Sequence, residues 1–359
     1  SGDELGLVGY WKFNEGADTT TYDHSGSANH GTIHGATYLA GEPFLITYVP
    51  DDNFEQALID LGYDDVLDDS VVTANISSVT SLSISNFQNV EAYVSDLTGI
   101  QDFTALEILN ISYNSLTTLD MSANTALTYL QCYGNDLTSI NVSANTALVE
   151  LHCGGNDLTS LDVTNNTALT ILGAQRNSFT SLDLSNNVLL ETLFLKEGDL
   201  TSLDVSNNTA LETIECFTNS LETLDVSNNT SLNSLKCWNN QLTSLDVSSN
   251  TALRYLSCHV NTLTSLDVSN NTALIHVWCH DNQLTTLDVS NNASLELLGC
   301  SGNQLTSLDV SANTALTYLN LGNNQLTALD VSNNTALTAL DCGINQLTSL
   351  DVSSNTALT

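Results

Sequence analysis

Basic residues are nearly absent from this chain, which has 5 Lys or Arg against 41 Asp or Glu in 359 residues, for a formal net charge of −36. A surface this negative repels phosphate backbones and anionic lipid. No apolar run approaches the ~18 residues that a membrane-spanning helix needs. We therefore expect no nucleic-acid partner and no membrane insertion.

Proline is also scarce, with 2 residues in the chain, and none lies beyond Pro50. Nothing after that residue interrupts a hydrogen-bonded ladder. Motifs of catalysis are missing too: we find no glycine-rich phosphate loop and no nucleophile–His–acid arrangement. The sequence therefore predicts a protein that is not an enzyme. Its opening, SGDELGLVGYW, has no signal peptide, which fits a processed N-terminus and leaves export open.

A 21-residue repeat begins at Leu106 and recurs twelve times. We call each repeat a rung, number the rungs from Leu106, and count positions in each half from its first Leu. The ten-residue first half reads LxxLxCxxNx, as in LTYLQCYGND from Leu127, and the eleven-residue second half reads LxxLDVSxNTA, as in LTSLDVSNNTA from Leu200. In both halves, positions four and six alternate with three, five and seven, which is strand periodicity.

This periodicity predicts a mainly β repeat solenoid, a coil with two parallel β-sheets, one for each half-repeat, around a thin apolar core. Positions four and six face the core. The Asn at position nine suits a tight buried turn, because its amide satisfies neighbouring backbone groups. We expect an Asn column at each corner, in which every Asn meets the backbone of the next rung. Gly198, which replaces one corner Asn, predicts a local irregularity.

The skeleton LxxLxLxxN, shared by both halves, resembles the leucine-rich repeat of the nested 21-residue bacterial class, which is common in surface proteins of the Bacteroidota. The resemblance covers about residues 80–359. Before it, DDNFEQALIDLG (51–62) predicts an amphipathic cap helix, with Phe54, Leu58 and Leu61 on one face and Gly62 as a stop. We assign residues 47–80 to this cap and residues 81–359 to the solenoid, with irregular entry rungs before Leu106.

Residues 1–46 differ from the rest in composition. Their motifs YWKFNEG and SGSANHGTIHGA resemble the opening strands of a laminin-G or concanavalin-A-like sandwich. A complete sandwich needs several times more chain, so we expect a strand fragment here and carry over no carbohydrate site from that family.

The eight cysteines all fall at position six of the first half. Ile, Ala and Leu take this position in the other rungs, so it favours a small apolar side chain, and buried free Cys fills such a place well. Neighbours in register point the same way, which is poor geometry for a disulfide. We expect buried free thiols.

Aspartate recurs at position five of the second half in eleven of the twelve rungs, and Asn141 takes the remaining one. Asp disfavours strands, and like charges stacked along a sheet repel one another. Two interpretations remain open: hydroxyl groups and solvent ions screen a hydrophilic wall, or Ca²⁺ bridges successive carboxylates. No cofactor is required in the first. The cation ladder of the second comprises Asp204, Asp225, Asp246, Asp267, Asp288, Asp309 and Asp330.

The outward positions of the first half vary from rung to rung and concentrate aromatic and basic side chains in rungs five to nine. Exposed aromatic side chains on a rigid sheet suit a binding patch, since interface anchors favour Trp, Tyr and Arg. His259 and His280 share one column, either as part of an aromatic row or around a metal ion. The predicted partner-binding residues are Phe194, Lys196, Phe217, Lys236, Trp238, Arg254, Tyr255, His259, His276, Trp278 and His280.

These patterns support two hypotheses about function. The first is a secreted or cell-surface recognition or adhesion scaffold that presents the aromatic-rich face to a protein or glycan partner. The alternative is a structural protein whose copies assemble head-to-tail into an extracellular filament or sheath, since a contact between unlike surfaces does not close.

Overall fold

The computed structural model describes residues 45–86 and 92–359, together with a short antiparallel pair formed by strands β1 (Thr20–Thr21) and β2 (Gly31–Thr32). The strand fragment predicted for residues 1–46 therefore lies almost wholly outside the described residues, which include only this pair and residues 45 and 46. In the part of the chain that is described, no helix is long and apolar enough to cross a membrane.

The predicted cap helix is confirmed as α1 (Asp52–Asp60). It begins at Asp51, whose Oδ1 accepts hydrogen bonds from the backbone N–H groups of Asn53 and Phe54 at 3.0 and 2.9 Å. Phe54 is fully buried and its ring stacks 6.5 Å from that of Phe103 in the entry region. The placement of Leu61 on the buried face was wrong, because it follows the last helical turn and is 48% exposed.

Three further elements complete the cap. Strands β3 (Ile46–Tyr48) and β4 (Ser70–Val72) pair antiparallel, and a one-turn helix α2 (Thr73–Ile76) follows. A 3₁₀ turn (Ile100–Asp102) leads into the first full rung. Thr47 Oγ1 donates to Asp102 Oδ2 at 2.6 Å, which ties the cap to this turn.

A single parallel sheet of thirteen strands runs through the described solenoid, with the strands in sequence order from β5 (Ser81–Ser83). From β6 onward, each strand pairs with the next in register, exactly one rung further along the chain, as Leu235 does with Leu256. The remaining strands are β6 (Ile108–Asn110), β7 (Tyr129–Gln131), β8 (Glu150–His152), β9 (Ile171–Gly173), β10 (Thr192–Phe194), β11 (Thr213–Glu215), β12 (Ser234–Lys236), β13 (Tyr255–Ser257), β14 (His276–Trp278), β15 (Leu297–Gly299), β16 (Tyr318–Asn320) and β17 (Ala339–Asp341).

The core follows the predicted alternation: position four at the centre of each strand and position six after it are buried, except in β17, where Leu340 and Cys342 are only partly buried. All eight cysteines are free thiols; seven are buried and Cys342 is partly exposed. Burial raises the pKa of Cys153 and of Cys279 to about 12. The prediction of buried free thiols is confirmed for those seven, and the raised pKa keeps them protonated and unreactive.

The prediction of a second parallel sheet was wrong. Among the described residues, the second halves contribute only an isolated bridge between Asp120 and Asn141. The cause is the side chain at position five. In every rung its Oδ1 accepts the backbone N–H of the residue two positions on, as Asp246 does from Ser248 at 2.9 Å. A carboxylate that bonds its own backbone closes a turn and competes with a sheet ladder.

Both Asn columns are confirmed, but each Asn bonds the backbone of the preceding rung and not of the next one. In the first-half column, Asn261 Nδ2 donates to the carbonyls of Cys258 and Cys237 at 3.0 and 3.2 Å, and its Oδ1 accepts from Leu242 N. In the second-half column, Asn271 Nδ2 donates to the carbonyls of Val247 and Asn250 in the preceding rung.

The irregularity predicted at Gly198 is present. Gly198 has no side chain to accept from Phe179 N, as Asn219 Oδ1 accepts from Leu200 N at 3.0 Å, and in this second half Thr201 N donates directly to Thr180 O at 2.9 Å.

Candidate binding face

The outward side chains of the strands form one surface, which we call the variable face: positions three, five and seven of each first half. Each solenoid strand from β5 to β16 buries its middle residue, and most flanking residues stay at least partly exposed, as in β12, where Leu235 is buried between Ser234 and Lys236. Gly173, Glu215 and Gly299 are the buried flanking residues among these strands. Because neighbouring strands are in register, equivalent side chains stack in straight columns across the rungs.

Column seven brings four of the predicted residues into a continuous stack. The Phe217 and Trp238 rings lie 4.3 Å apart at 12°, Trp238 and His259 5.0 Å apart at 9°, and His259 and His280 4.1 Å apart at 23°. We call these four residues the aromatic ridge. Trp238 and His259 each lie between two stacked rings, so their orientation is set before any partner arrives.

Charged side chains border the ridge at its first rung. Glu215 bridges two cations, accepting from Lys196 Nζ at 2.7 Å and from Lys236 Nζ at 2.8 Å. Burial opposes ionisation of Glu215, but the hydrogen bonds from the two lysines outweigh it and lower its pKa. Lys196 Nζ also lies 5.3 Å from the centroid of Phe217 and 5.6 Å from that of Phe194, within cation–π range.

Trp278 stands beside the ridge in column five. Its ring meets His280 edge-on at 6.4 Å and Tyr318 at 5.5 Å. The indole lies over Gly299 of the next rung, where a Cβ atom would come within 3 Å of the ring. Glycine at this position therefore allows Trp278 to lie against the sheet.

Column three holds the other predicted aromatic pair. Tyr255 and His276 meet edge-to-face at 5.1 Å, and the Arg254 guanidinium lies 5.8 Å from the Tyr255 ring. Among the contacts of the described residues, these three form a separate cluster from the ridge. The structure thus divides the predicted site into a ridge with Trp278 and a smaller Tyr255 cluster.

His259 is the perturbed titratable group of the ridge. Burial between Trp238 and His280, and the charge that His280 can carry, lower its pKa to about 4. Its Nδ1 is buried and makes no hydrogen bond among the described residues. His280 Nδ1 lies 2.8 Å from Asp281 Oδ2. The ring stacking favours an aromatic row over a shared metal ion, and the described residues contain no group of three or more His, Cys, Asp or Glu that could hold one.

Position eight of the first half also reaches this face and was missed in the sequence. Its backbone is left-handed in all twelve rungs, including those with β-branched residues, as at Val260 with φ 51° and Ile344 with φ 52°. Such a conformation costs a β-branched residue about 1–2 kcal/mol. Glycine occurs at this position in three rungs, at residues 134, 155 and 302. Recurring glycine was the sequence signal that could have predicted the left-handed backbone here.

The Asp column lies in the second halves, away from the variable face, and its first role is in the backbone turn. Hydrogen bonds from the Ser206 side chain and backbone lower the pKa of Asp204, and the Ser248 side chain and backbone do the same for Asp246. The carboxylates are thus ionised at neutral pH. Binding of Ca²⁺ between successive members of the column stays a prediction.

Comparison with known proteins agrees with this fold. A family model of two leucine-rich repeats matches residues 293–334. Internalin J of Listeria monocytogenes serotype 4b is 38% identical over 116 residues, which are 31% of this chain and 12% of internalin J. The chain therefore matches a small part of that protein's length.

Solved structures extend the likeness to most of the chain. The functional domain of InlJ from Listeria monocytogenes, which includes a cysteine ladder, is 36% identical with a TM-score of 0.76, over 88% of this chain and 75% of that one. The L. monocytogenes internalin InlF shares the fold at 23% identity and a TM-score of 0.66, over 87% of this chain and 95% of that one. This chain belongs to the leucine-rich repeat proteins related to the Listeria internalins.

Proposed function

We propose that this protein is a non-enzymatic recognition scaffold that binds a protein partner through the aromatic ridge and Trp278. The observation that carries the proposal is the unbroken stack from Phe217 to His280, with ring centroids 4.1–5.0 Å apart on a parallel sheet. Side chains that are already ordered lose little conformational entropy on binding, and this loss is one of the costs of forming an interface.

The chemistry of the ridge fits an interface anchor. Trp and Tyr dominate interface energies because they bury a large area, and Trp238, Trp278 and Tyr318 are only partly buried here. The rest of the molecule is strongly acidic, with a net charge of −36. That charge favours a partner whose binding site is apolar and whose surroundings are basic, since complementary charge speeds association.

We place the protein outside the cell or at its surface. The acidic composition and the resemblance of the repeat to those of bacterial surface proteins support this location. Immunogold labelling of intact source cells, with and without permeabilisation, tests it: surface label on intact cells is expected, and label that needs permeabilisation contradicts it.

A binding screen with matched variants tests the ridge. Purified extracellular proteins are passed over the immobilised chain in surface plasmon resonance. For a true partner, we expect Trp238→Ala and Trp278→Ala each to weaken binding at least about tenfold, as loss of a buried anchor does. Tyr48→Ala is the control, because Tyr48 is an aromatic residue 59% exposed on the cap, away from the ridge.

Gly299→Ala is a second variant that leaves every aromatic residue in place. It displaces the Trp278 indole and should weaken the same partner without removing a contact group. Binding that survives Trp238→Ala, Trp278→Ala and Gly299→Ala, or that Tyr48→Ala weakens equally, contradicts the assignment.

Assembly into a filament stays a prediction. Sedimentation velocity of the intact chain with Ca²⁺ and with chelator distinguishes the two hypotheses. A single species of monomer mass in both conditions argues against assembly, and large species that disappear with chelator would favour it.

A further inference from the structure

A hollow lies on the variable face, in rungs one to five, before the ridge begins. It is widely open to solvent, has a volume of about 390 Å³ and is lined by side chains from Tyr113 to Glu197. This volume falls in the range of about 300–1,000 Å³ typical of small-molecule sites. Of the predicted partner-binding residues, only Lys196 lines it, so the hollow needs a separate explanation.

Glycines create the hollow and seat its rings. A Cβ at Gly134 would come within 3.0 Å of the Tyr113 ring, one at Gly155 within 3.2 Å of Tyr133, and one at Gly173 within 2.9 Å of His152. Three rings thus lean onto glycines of the following rung and rest against the sheet. Tyr113 and Tyr133 also contact each other edge-to-face at 5.4 Å.

Planar polar groups stand opposite these rings. Arg176 Nε donates to Glu197 Oε2 at 2.7 Å, and Arg176 Nη1 donates to Tyr133 Oη at 3.1 Å. Gln175 Oε1, which is buried, has no hydrogen-bond partner among the described residues. The arrangement places donors and an unused acceptor next to aromatic rings.

Both basic side chains that line the hollow already have a carboxylate partner. Arg176 is paired with Glu197, and Lys196 with Glu215. An anionic ligand would have to break one of these pairs, whereas an uncharged ligand would not. A fork of donors beside acceptors matches adjacent hydroxyl groups, each of which both donates and accepts.

We infer that this hollow binds a neutral sugar residue of a glycan. The C–H face of a pyranose ring, which carries partial positive charge, packs on the electron-rich faces of Tyr113 and Tyr133. Its hydroxyls bond to Gln175 and to the Arg176–Glu197 fork. An apolar peptide segment fits less well, because the wall opposite the rings is polar throughout. The inference does not rest on the protein-binding role of the ridge.

Saturation-transfer NMR on the full chain tests the inference. The probes are the methyl glycosides of glucose, galactose, mannose and N-acetylglucosamine, with glucuronic acid and N-acetylneuraminic acid as charged counterparts. We expect transfer to the ring protons of at least one neutral glycoside, and a dissociation constant measurable by titration.

Two variants locate the binding. Tyr133→Ala removes a ring, and Arg176→Gly removes the fork at a left-handed position that glycine adopts without strain. Each should raise the dissociation constant about tenfold or more, equivalent to about 1.4 kcal/mol. Circular dichroism confirms that each variant is folded.

Trp238→Ala is the matched control and should leave sugar binding unchanged, which separates this inference from the ridge proposal. Transfer to none of the neutral glycosides, transfer to the acidic sugars alone, or binding that neither Tyr133→Ala nor Arg176→Gly weakens would overturn the inference.

Discussion

The two halves of each rung satisfy their backbone hydrogen bonds in different ways. The second half spells LTSLDVS identically at residues 200–206, 242–248, 263–269, 305–311 and 347–353, yet it contributes none of the thirteen strands. The first half changes at nearly every outward position and forms the whole sheet. The invariant half is therefore the less regular one in its backbone hydrogen bonding.

The difference lies in which groups make the hydrogen bonds. In the first half, backbone bonds backbone from rung to rung, and such a ladder places no demand on the outward side chains. In the second half, side chains bond the backbone: Asp246 Oδ1 accepts from Ser248 N, and Asn250 Nδ2 donates to Val226 O. A side chain that replaces a backbone partner can vary only to one that makes the same hydrogen bond, as Asn141 does in place of Asp. The outward side chains of the sheet are therefore the ones that are free to vary and to serve in recognition.

The largest effect expected from this comparison is in the buried Asn column. Asn271→Ala leaves the carbonyls of Val247 and Asn250 without their donor in a dry interior. We expect a loss of about 2–5 kcal/mol in the free energy of unfolding, measured by urea titration.

Asn270→Ala is the matched control. Asn270 is the preceding residue, and its side-chain amide donates to Ser248 O on the exposed surface. This variant should change stability little. Equal losses in the free energy of unfolding for the two variants would mean that the buried Asn column is not what stabilises the second half.

The next effect concerns the first half and pH. The folded-state pKa of His259 is about 4, against 6.5 for the unperturbed group, so below pH 6.5 the unfolded chain binds a proton that the folded chain does not. Stability should be fully present above pH 6.5 and fall as the pH drops towards 4.

His259→Phe keeps the ring stack and should flatten the unfolding free energy across this window, measured by urea titration at pH 4.5, 5.5 and 7. His276→Phe serves as the control for removing a histidine from the same face. If His259→Phe retained the wild-type slope, the buried imidazole would not be its source. The Asp column contributes below pH 3.8, outside the window, because its pKa values are lowered.

A smaller effect is expected at position eight. Val260→Asn replaces a β-branched residue at φ 51° with one that tolerates the left-handed conformation, and should stabilise the fold by about 0.5–1 kcal/mol. Val188→Asn, at an exposed site without positive φ, should not stabilise it. Calorimetry of both variants measures the difference, and a gain at Val188 as large as at Val260 would remove the conformational explanation.

The smallest effect distinguishes the turn from the charge in the second half. Asp246→Asn should leave the melting temperature unchanged, because Asn141 already makes the same turn by accepting from Ser143 N at 3.0 Å. Asp246→Ala should lower it, since the alanine cannot bond Ser248 N. Equal melting temperatures for these two variants would contradict the role of the turn.

The same substitution tests the cation ladder. Replacing Asp225, Asp246 and Asp267 together by Asn removes charge and keeps the turns. If Ca²⁺ raises the melting temperature of the wild-type chain but not of this variant, the carboxylates bind the ion. If Ca²⁺ shifts neither protein, the column serves the turns and the surface alone.

Much of the solenoid could be predicted because repetition makes local patterns reliable. The alternation at positions four and six, the Cys column and both Asn columns follow from residues that recur at one spacing. The second sheet was wrongly predicted because a turn closed by Asp246 shows the same apolar alternation as a strand. Periodicity reports which side chains are buried; it does not report which groups bond the backbone.

The sequence alone determined the rung, its core and the columns in which its variable residues stack, because a 21-residue period brings equivalent positions together whatever the side chains are. Only the tertiary structure decided how those columns are used. The contact of Trp238 with His259, and the seating of Tyr133 on Gly155, depend on side chains of different rungs leaning along the sheet. Such contacts join residues about 20 positions apart, and their geometry exists only once the rungs are stacked.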